Sequence, residues 1–313
     1  MHSSEQLRKQ LAQEGILLCP GAHDPLTARI IEAVGFEAVY MTGYGTSLST
    51  IGYPDAGFIT MPEMISNANN IQETVNIPVI ADADTGYGNA TNVIRTVREY
   101  IKTGVGAIHI EDQKFPKRCG HVEGREVVSQ EEAAGKIRAA ADVRDTRNSD
   151  FLIIARTDAR GAVGGSVDEA ISRANRYLEE GADIAFVEGP TTKAEVEEIG
   201  AALNGYLLYN ATGISPLIDV ETLQSYGYDI VILPSVSLQA TLYGLFSHAS
   251  ELKANGISAV SELSEQLSDL PLENLHQFAG FDTVVEWERR YLPETSQEKY
   301  DNSLGANISD STE

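Results

Sequence analysis

Short apolar runs alternate along this chain with longer segments in which apolar residues recur every three or four positions. The longer segments predict helices, for example at 91–103, 130–144, 167–180 and 194–202, and Gly104, Gly181 and Gly205 near their ends are typical of left-handed caps. Strands that alternate with helices indicate a parallel sheet. The apolar runs predict eight strands, at 16–20, 37–42, 78–82, 106–111, 151–156, 183–188, 206–210 and 229–234.

A parallel sheet of this size either closes into a barrel or stays open as a doubly wound layer. The first strand continues into CPGAHDP, which lacks the glycine-rich dinucleotide fingerprint of the open fold. We therefore expect an α/β protein with a (β/α)8 TIM barrel over residues 1–256 and a C-terminal helical extension over 257–293. An apolar stretch at 275–292 is expected to cover the barrel or dock on a neighbouring subunit, and 294–313 reads as a polar, disordered tail.

Charged and polar side chains cluster where the predicted strands end. In a parallel barrel all these ends meet at one mouth, where catalytic residues lie. The sequence therefore predicts an active site at this mouth. The residues at the strand ends are Asp82, Asp84, His109, Glu111, Arg156, Asp158, Glu188 and Asn210.

The run ADADTGYGN places two carboxylates, Asp82 and Asp84, two positions apart at a strand end. Strand alternation would point both toward the mouth. Hard oxygen ligands of this kind suit Mg²⁺, although a structural turn accounts for such a pair about as often.

A second run, HIEDQKFPKRCGH, gathers cationic and nucleophilic residues after the fourth strand. Its Cys and His spacing supplies no clean four-ligand zinc set. We expect Lys117, Arg118 and a nearby His to lower the pKa of Cys119, so that the thiol exchanges a proton with a carbanion; the alternative is a buried, inert cysteine. The polar loop 114–125 is expected to act as a lid that opens without substrate.

Composition narrows the range of partners and compartments. Lys+Arg 23 against Asp+Glu 46 in 313 residues gives a net charge of −23, which argues against binding to nucleic acid or to anionic membranes. A salt-loving source organism is one explanation, and an ordinary acidic protein is the other. Two cysteines, with neither a signal peptide nor a membrane span in the sequence, indicate a cytoplasmic protein.

Four motifs, in matching order, resemble the isocitrate lyase and phosphoenolpyruvate mutase superfamily: ADADTGYGN, HIEDQxxPKRCGH, ARTDAR at 155–160 and FVEGP at 186–190. The KRCGH loop is similar to that of the carbon–carbon lyase branch. The resemblance implies Mg²⁺, with Mn²⁺ as an alternative, held directly or through water by Asp55, Asp82, Asp84 and Glu111. It also implies a homo-oligomer, a tetramer in this family.

The resemblance assigns roles to the remaining site residues and predicts a retro-aldol lyase acting on a 2-hydroxy di- or tricarboxylate, with Cys119 as the acid. The predicted catalytic residues are Glu111, Lys117, Arg118, Cys119 and His121. The predicted substrate-binding residues are Thr42, Gly43, Tyr44, His109, Arg156, Glu188 and Asn210.

Departures from the superfamily patterns leave the substrate open. Relatives that cleave 2-methylisocitrate commonly show Ser-Gly-Gly where this chain has Thr-Gly-Tyr at 42–44, and large isocitrate lyases differ from the NATGISP run at 210–216. Isocitrate, 2-methylisocitrate and smaller 2-alkylmalates therefore all stay candidates. An oxaloacetate decarboxylase, a phosphonopyruvate mutase or hydrolase, and a catalytically silent binding barrel are the competing functions.

Overall fold

The computed structural model describes residues 2–271 and 274–295. Within these residues, eight parallel strands close into a barrel in chain order, which confirms the predicted (β/α)8 architecture. The strands are β1 (Leu17–Ala22), β2 (Val39–Met41), β3 (Val79–Asp82), β4 (Ala107–Glu111), β5 (Leu152–Thr157), β6 (Ile184–Val187), β7 (Tyr206–Asn210) and β8 (Ile230–Leu233).

One helix precedes β1, and further helices lie between the strands around the barrel. Up to β8 they are α1 (Ser3–Leu11), α2 (Pro25–Val34), α3 (Gly43–Ile51), α4 (Met61–Thr74), α5 (Ala90–Thr103), α6 (Gln130–Arg147), α7 (Val167–Glu179), α8 (Lys193–Ala202) and α9 (Val220–Ser225). After β8 come α10 (Val236–Asn255), α11 (Ser258–Ser268), α12 (Leu275–Ala279) and α13 (Phe281–Tyr291).

Local sequence explains where these helices begin and end. The Asn89 side chain accepts a hydrogen bond from the Thr91 amide and starts α5, and Gly104 ends it at φ 81°. Ser166 caps α7 in the same way, and Gly181 follows that helix at φ 100°. Because the caps set where the helices begin and end, the loops at the carboxyl ends of the strands stay outside the helices and carry the polar side chains.

The strands are buried on both faces because they lie between the barrel interior and the helices. Interior side chains such as Tyr40, Ile80, Ile154 and Phe186 form one apolar cluster. Helix residues and the outward faces of the strands form two others. This packing fixes the strand ends, and with them the side chains at the mouth.

The chain divides into two compact units, one up to Thr241 and one from Leu242, with the division inside α10. The described part of the second unit is helical and exposes large apolar side chains, including Tyr243, Phe246 and Trp287. The predicted tail at 294–313 lies, from residue 296 onward, outside the described residues. In the described part of the chain, no helix has both the length and the apolar character needed to cross a bilayer.

Candidate active site

The register of the strands brings the predicted site residues together at the mouth. Asp82 pairs with His109 between β3 and β4, and Glu111 pairs with Arg156 between β4 and β5. Glu188 directly follows β6, and its backbone N–H donates to the carbonyl of Thr157 at 3.0 Å. The residues of this group are all buried: Asp82, Asp84, His109, Glu111, Arg156, Glu188 and Asn210.

The two aspartates meet through a turn, not through strand alternation. β3 ends at Asp82, and Asp84 has φ 46°, in the left-handed region that few non-glycine residues occupy. The Asp84 amide donates to Asp82 Oδ1 at 2.8 Å, and the Glu111 amide donates to the Asp84 carbonyl at 2.9 Å. Strained backbone of this kind concentrates at functional sites.

Lys117 lies in the loop after β4 and reaches an acidic cluster at the mouth. This cluster consists of Asp55, Asp82, Asp84 and Glu111. Its ammonium pairs with Asp55 Oδ1, and its Nζ atom is 2.6 Å from Asp84 Oδ1. Burial would lower the pKa of Lys117, but the charges of Asp84 and Asp55 outweigh it and raise that pKa well above its ordinary value. Lys117 is therefore a buried, charged partner of these carboxylates.

Glu111 has a carboxylate oxygen that is available to a ligand. Among the described residues, none donates a hydrogen bond to its Oε1 atom. Burial raises the pKa of Glu111 well above its usual range. In residues 2–271 and 274–295, no group of three or more His, Cys, Asp or Glu side chains forms a ready metal-binding cluster. A cation at this mouth would therefore keep several ligands from water or substrate, as Mg²⁺ commonly does.

His109 lies inside the barrel in contact with Asp82, and its side chain is fully buried. Its Nε2 atom is 3.4 Å from Asp82 Oδ1 and 2.7 Å from the hydroxyl of Tyr40, whose ring stacks on it. Burial would raise the pKa of Asp82, but His109, Lys117 and Arg156 outweigh it and hold that pKa below its ordinary range. His109 therefore orients the Asp82 carboxylate and favours its ionised form.

The Thr-Gly-Tyr segment joins β2 to α3 beside the acidic cluster. Thr42 caps the helix by accepting from the Gly45 amide, and the Gly43 amide donates to Asp82 Oδ2 at 3.2 Å. A Cβ atom on Gly43 would overlap the Asp82 carboxylate, so this close approach requires glycine. The Tyr44 side chain is exposed.

The loop 114–125 lies closed over the mouth. The Cys119 amide donates to the carbonyl of Asp55 at 3.1 Å. The buried Gln113 side chain holds the loop backbone by donating to the Arg118 carbonyl at 2.8 Å and accepting from the Arg118 amide at 3.0 Å. A Cβ atom on Gly120 would overlap the Arg156 guanidinium. The loop therefore rests directly on the predicted substrate-binding residues.

The predicted lowering of the Cys119 pKa is wrong. Lys117 is turned toward Asp55 and Asp84, and Arg118 is exposed, with its guanidinium 3.4 Å from the carbonyl of Glu123. Burial instead raises the pKa of the half-buried Cys119. A thiol with a raised pKa stays protonated, which suits an acid and not a thiolate nucleophile.

A second polar group, formed by His121, Glu188 and Asn210, faces the acidic cluster across the mouth. Asn210 Nδ2 donates to Glu188 Oε2 at 2.9 Å and lies 3.4 Å from His121 Nε2. Arg156 Nη2 is 3.4 Å from Glu188 Oε2, and Arg156 Nε is 3.4 Å from Glu111 Oε2. Burial lowers the pKa of His121. Arg156 thus lies between the two groups, where it can bind an anionic ligand.

Several residues of the site had no clear signal in the sequence. Gln113 and Arg125 read as ordinary polar loop positions, Asp112 as the residue after a predicted strand, and Tyr40 as a strand residue. Their functions depend on which side chain lies opposite, which spacing alone does not reveal. For Asp158 the signal was its place at a strand end, although no role followed from it.

Comparison with known proteins gives the same assignment as the motifs. The phosphoenolpyruvate phosphomutase family model matches residues 7–253. The 2,3-dimethylmalate lyase of Eubacterium barkeri is 48% identical over 261 residues, which cover 83% of this chain and 89% of that protein.

Solved structures of related enzymes share the fold of this chain. A crystal structure of 2,3-dimethylmalate lyase, a member of the PEP mutase/isocitrate lyase superfamily, has a TM-score of 0.87 and 32% identity, covering 98% of this chain and 99% of that chain. Phosphonopyruvate hydrolase in complex with oxalate and Mg²⁺ has a TM-score of 0.82 and 30% identity, covering 94% and 100%. The chain therefore belongs to the phosphoenolpyruvate mutase and isocitrate lyase superfamily and is an enzyme of that superfamily.

Proposed function

We propose that this enzyme is a Mg²⁺-dependent lyase that cleaves a 2-hydroxy dicarboxylate into a 2-oxoacid and a saturated carboxylate. The observation that carries the proposal is the position of Cys119. Its loop rests on the mouth, its amide is held by the Asp55 carbonyl, and the next residue, Gly120, lies against Arg156. These contacts support Cys119 as the acid for a carbanion formed at the mouth.

The residues at the mouth fit a divalent cation. Asp82, Asp84 and Glu111 supply only oxygen atoms, and Glu111 Oε1 accepts no hydrogen bond from the described residues. One or two carboxylates with several waters is the usual environment of Mg²⁺. When bound, the ion supplies Lewis acidity, which polarises the oxygen atoms of the substrate and eases loss of the hydroxyl proton.

The side chains of this enzyme would then divide the remaining work. Arg156 and Asn210 bind carboxylate, and the closed loop excludes water. In the retro-aldol step the hydroxyl proton leaves to a base, and the bond between the hydroxyl carbon and its neighbour breaks. The electron pair moves to the departing fragment as an enolate of its carboxylate. The Cys119 thiol donates the proton that completes the saturated carboxylate.

Among the candidate substrates, we expect a 2-alkylmalate to be turned over best. The 48% identity with 2,3-dimethylmalate lyase supports this choice. So does the loop after β7, which reads NATGISP and departs from the pattern of large isocitrate lyases. Isocitrate and 2-methylisocitrate carry an additional carboxylate that the enzyme would also have to bind.

A substrate panel tests the proposal. The enzyme is incubated with Mg²⁺ and, separately, with 2,3-dimethylmalate, 2-methylisocitrate, isocitrate, oxaloacetate and phosphonopyruvate, and the released 2-oxoacid is measured with and without excess chelator. We expect pyruvate and propionate from 2,3-dimethylmalate, and no turnover with chelator. Turnover of oxaloacetate or phosphonopyruvate alone would replace the lyase proposal with the decarboxylase or phosphonate reaction.

A homo-oligomer, which the family resemblance implies, stays our proposal for the assembled enzyme. The large apolar side chains exposed in the second unit, among them Leu245, Phe246, Trp287 and Tyr291, support it. Exposed large apolar side chains are buried when they lie in a contact between subunits. Light scattering after size exclusion should give a mass that is a multiple of 33.9 kDa. A monomer at micromolar concentration would contradict it.

A further inference from the structure

Asp158, the first residue after β5, binds two arginines with one fully buried carboxylate. Arg156 Nε donates to its Oδ2 atom at 2.9 Å, and Arg156 Nη2 donates to its Oδ1 atom at 3.1 Å. Arg125 Nη1 donates to the same Oδ1 atom at 3.1 Å. The bidentate pair fixes the plane of the Arg156 guanidinium, because both of its donors must stay aligned with one carboxylate.

A second buried carboxylate holds Asp158 in place from behind. The Asp158 amide donates to Asp112 Oδ1 at 2.9 Å. Asp112 Oδ2 accepts from the hydroxyls of Thr157 and Tyr177, at 2.7 and 2.8 Å, and from Arg173 Nη1 at 3.2 Å. Such a network leaves little freedom for the Asp158 backbone.

Of the two arginines, Arg125 belongs to the loop that carries Cys119, and Arg156 contacts that loop. Arg125 is the last residue of the loop, and Val163 donates to its carbonyl at 3.0 Å. Gly120, in the middle of the loop, lies against the guanidinium of Arg156, where a Cβ atom would overlap it. Asp158 therefore binds the end of the loop and the arginine on which the middle of the loop rests.

We propose that Asp158 is a positioning residue that couples the orientation of Arg156 to closure of the 114–125 loop. Arg125 docks on Asp158 when the loop closes, and the same carboxylate then holds Arg156 in the plane that receives a substrate carboxylate. The role of Arg156 in this scheme rests on the proposed function. Because coupling is reciprocal, ligand on Arg156 also favours the closed loop.

Thiol alkylation of the full-length chain measures loop closure without any substrate. Cys119 is the half-buried thiol of the loop, and Cys19, fully buried in β1, is the internal reference for global unfolding. In Asp158→Asn we expect iodoacetamide to modify Cys119 about fivefold faster or more, with Cys19 unmodified. Arg125→Gln should give a similar acceleration. The double variant should add little, because both changes remove one ion pair.

Turnover supplies the second measurement, on whichever substrate of the panel the enzyme accepts. For Asp158→Asn we expect KM to rise roughly tenfold, with a smaller fall in kcat, because Arg156 loses its orientation. Asp168→Asn, at an exposed position in the first turn of α7, is the matched control and should leave both measurements unchanged.

Two results would overturn the coupling. One is wild-type alkylation of Cys119 in Asp158→Asn, and the other is equal acceleration of Cys119 and Cys19, which would show a purely structural role. If Asp158→Asn fails to fold, Arg125→Gln decides the question by the same criteria. Failure of the whole substrate panel would reject the proposed function but leave the alkylation result able to support or overturn the coupling.

Discussion

Lys117 Nζ lies 2.6 Å from Asp84 Oδ1, inside a buried cluster of carboxylates. Breaking such a pair by removing one partner leaves buried charge without compensation. Lys117→Met should therefore lower the free energy of unfolding by about 3 kcal/mol. Added Mg²⁺ should restore part of it, because the cation would take over the neutralisation of Asp84.

Thermal unfolding with and without Mg²⁺ checks this prediction. Lys114→Met is the matched control, because Lys114 lies in the same loop but pairs with Glu126 at the exposed surface. We expect little change in that variant. A Lys117→Met enzyme that is as stable as the wild type without metal would show that the buried ion pair does not contribute as described.

Gly120 is predicted to be essential for closure of the loop. A Cβ atom there would overlap Arg156 and lie 2.7 Å from Glu188 Cγ, so Gly120→Ala should hold the loop open. We expect kcat/KM to fall at least about tenfold, because the thiol no longer reaches the carbanion, with an unchanged melting temperature. Gly135→Ala, in α6 with open space around it, is the control and should keep full activity. Normal turnover by Gly120→Ala would contradict a closed catalytic loop.

The raised pKa of Cys119 predicts the alkaline limb of the pH profile. The thiol is active as an acid only while it is protonated, and burial raises its pKa in the folded enzyme. Activity should therefore persist beyond about pH 8.5, where an ordinary thiol is half ionised, and fall only at higher pH. The pH dependence of kcat measures it. If ionisation of Cys119 makes activity fall well below pH 8.5, the prediction is wrong. Such a result would show that nearby cations stabilise the thiolate.

The sequence predicted the barrel and its mouth because both follow from local patterns. Eight apolar runs placed Asp82 and Glu111 at strand ends, and parallel strands bring such ends together. It did not predict the direction of the Cys119 pKa shift, because that depends on which carboxylates Lys117 reaches and on how far the loop is buried. Nor did it predict the role proposed for Asp158, because two of its partners, Arg125 and Asp112, are 33 and 46 positions away in the chain.

Cys119→Ser tests the lyase mechanism most directly. Serine keeps the size of the side chain but is a much weaker acid, and the proton is needed only after the carbon–carbon bond begins to break. Single-turnover and steady-state assays on the accepted substrate should show kcat reduced by about a hundredfold or more, with KM and the Mg²⁺ requirement nearly unchanged. Cleavage at a near wild-type rate by Cys119→Ser would contradict the role of Cys119 as the acid, and with it the proposed lyase reaction.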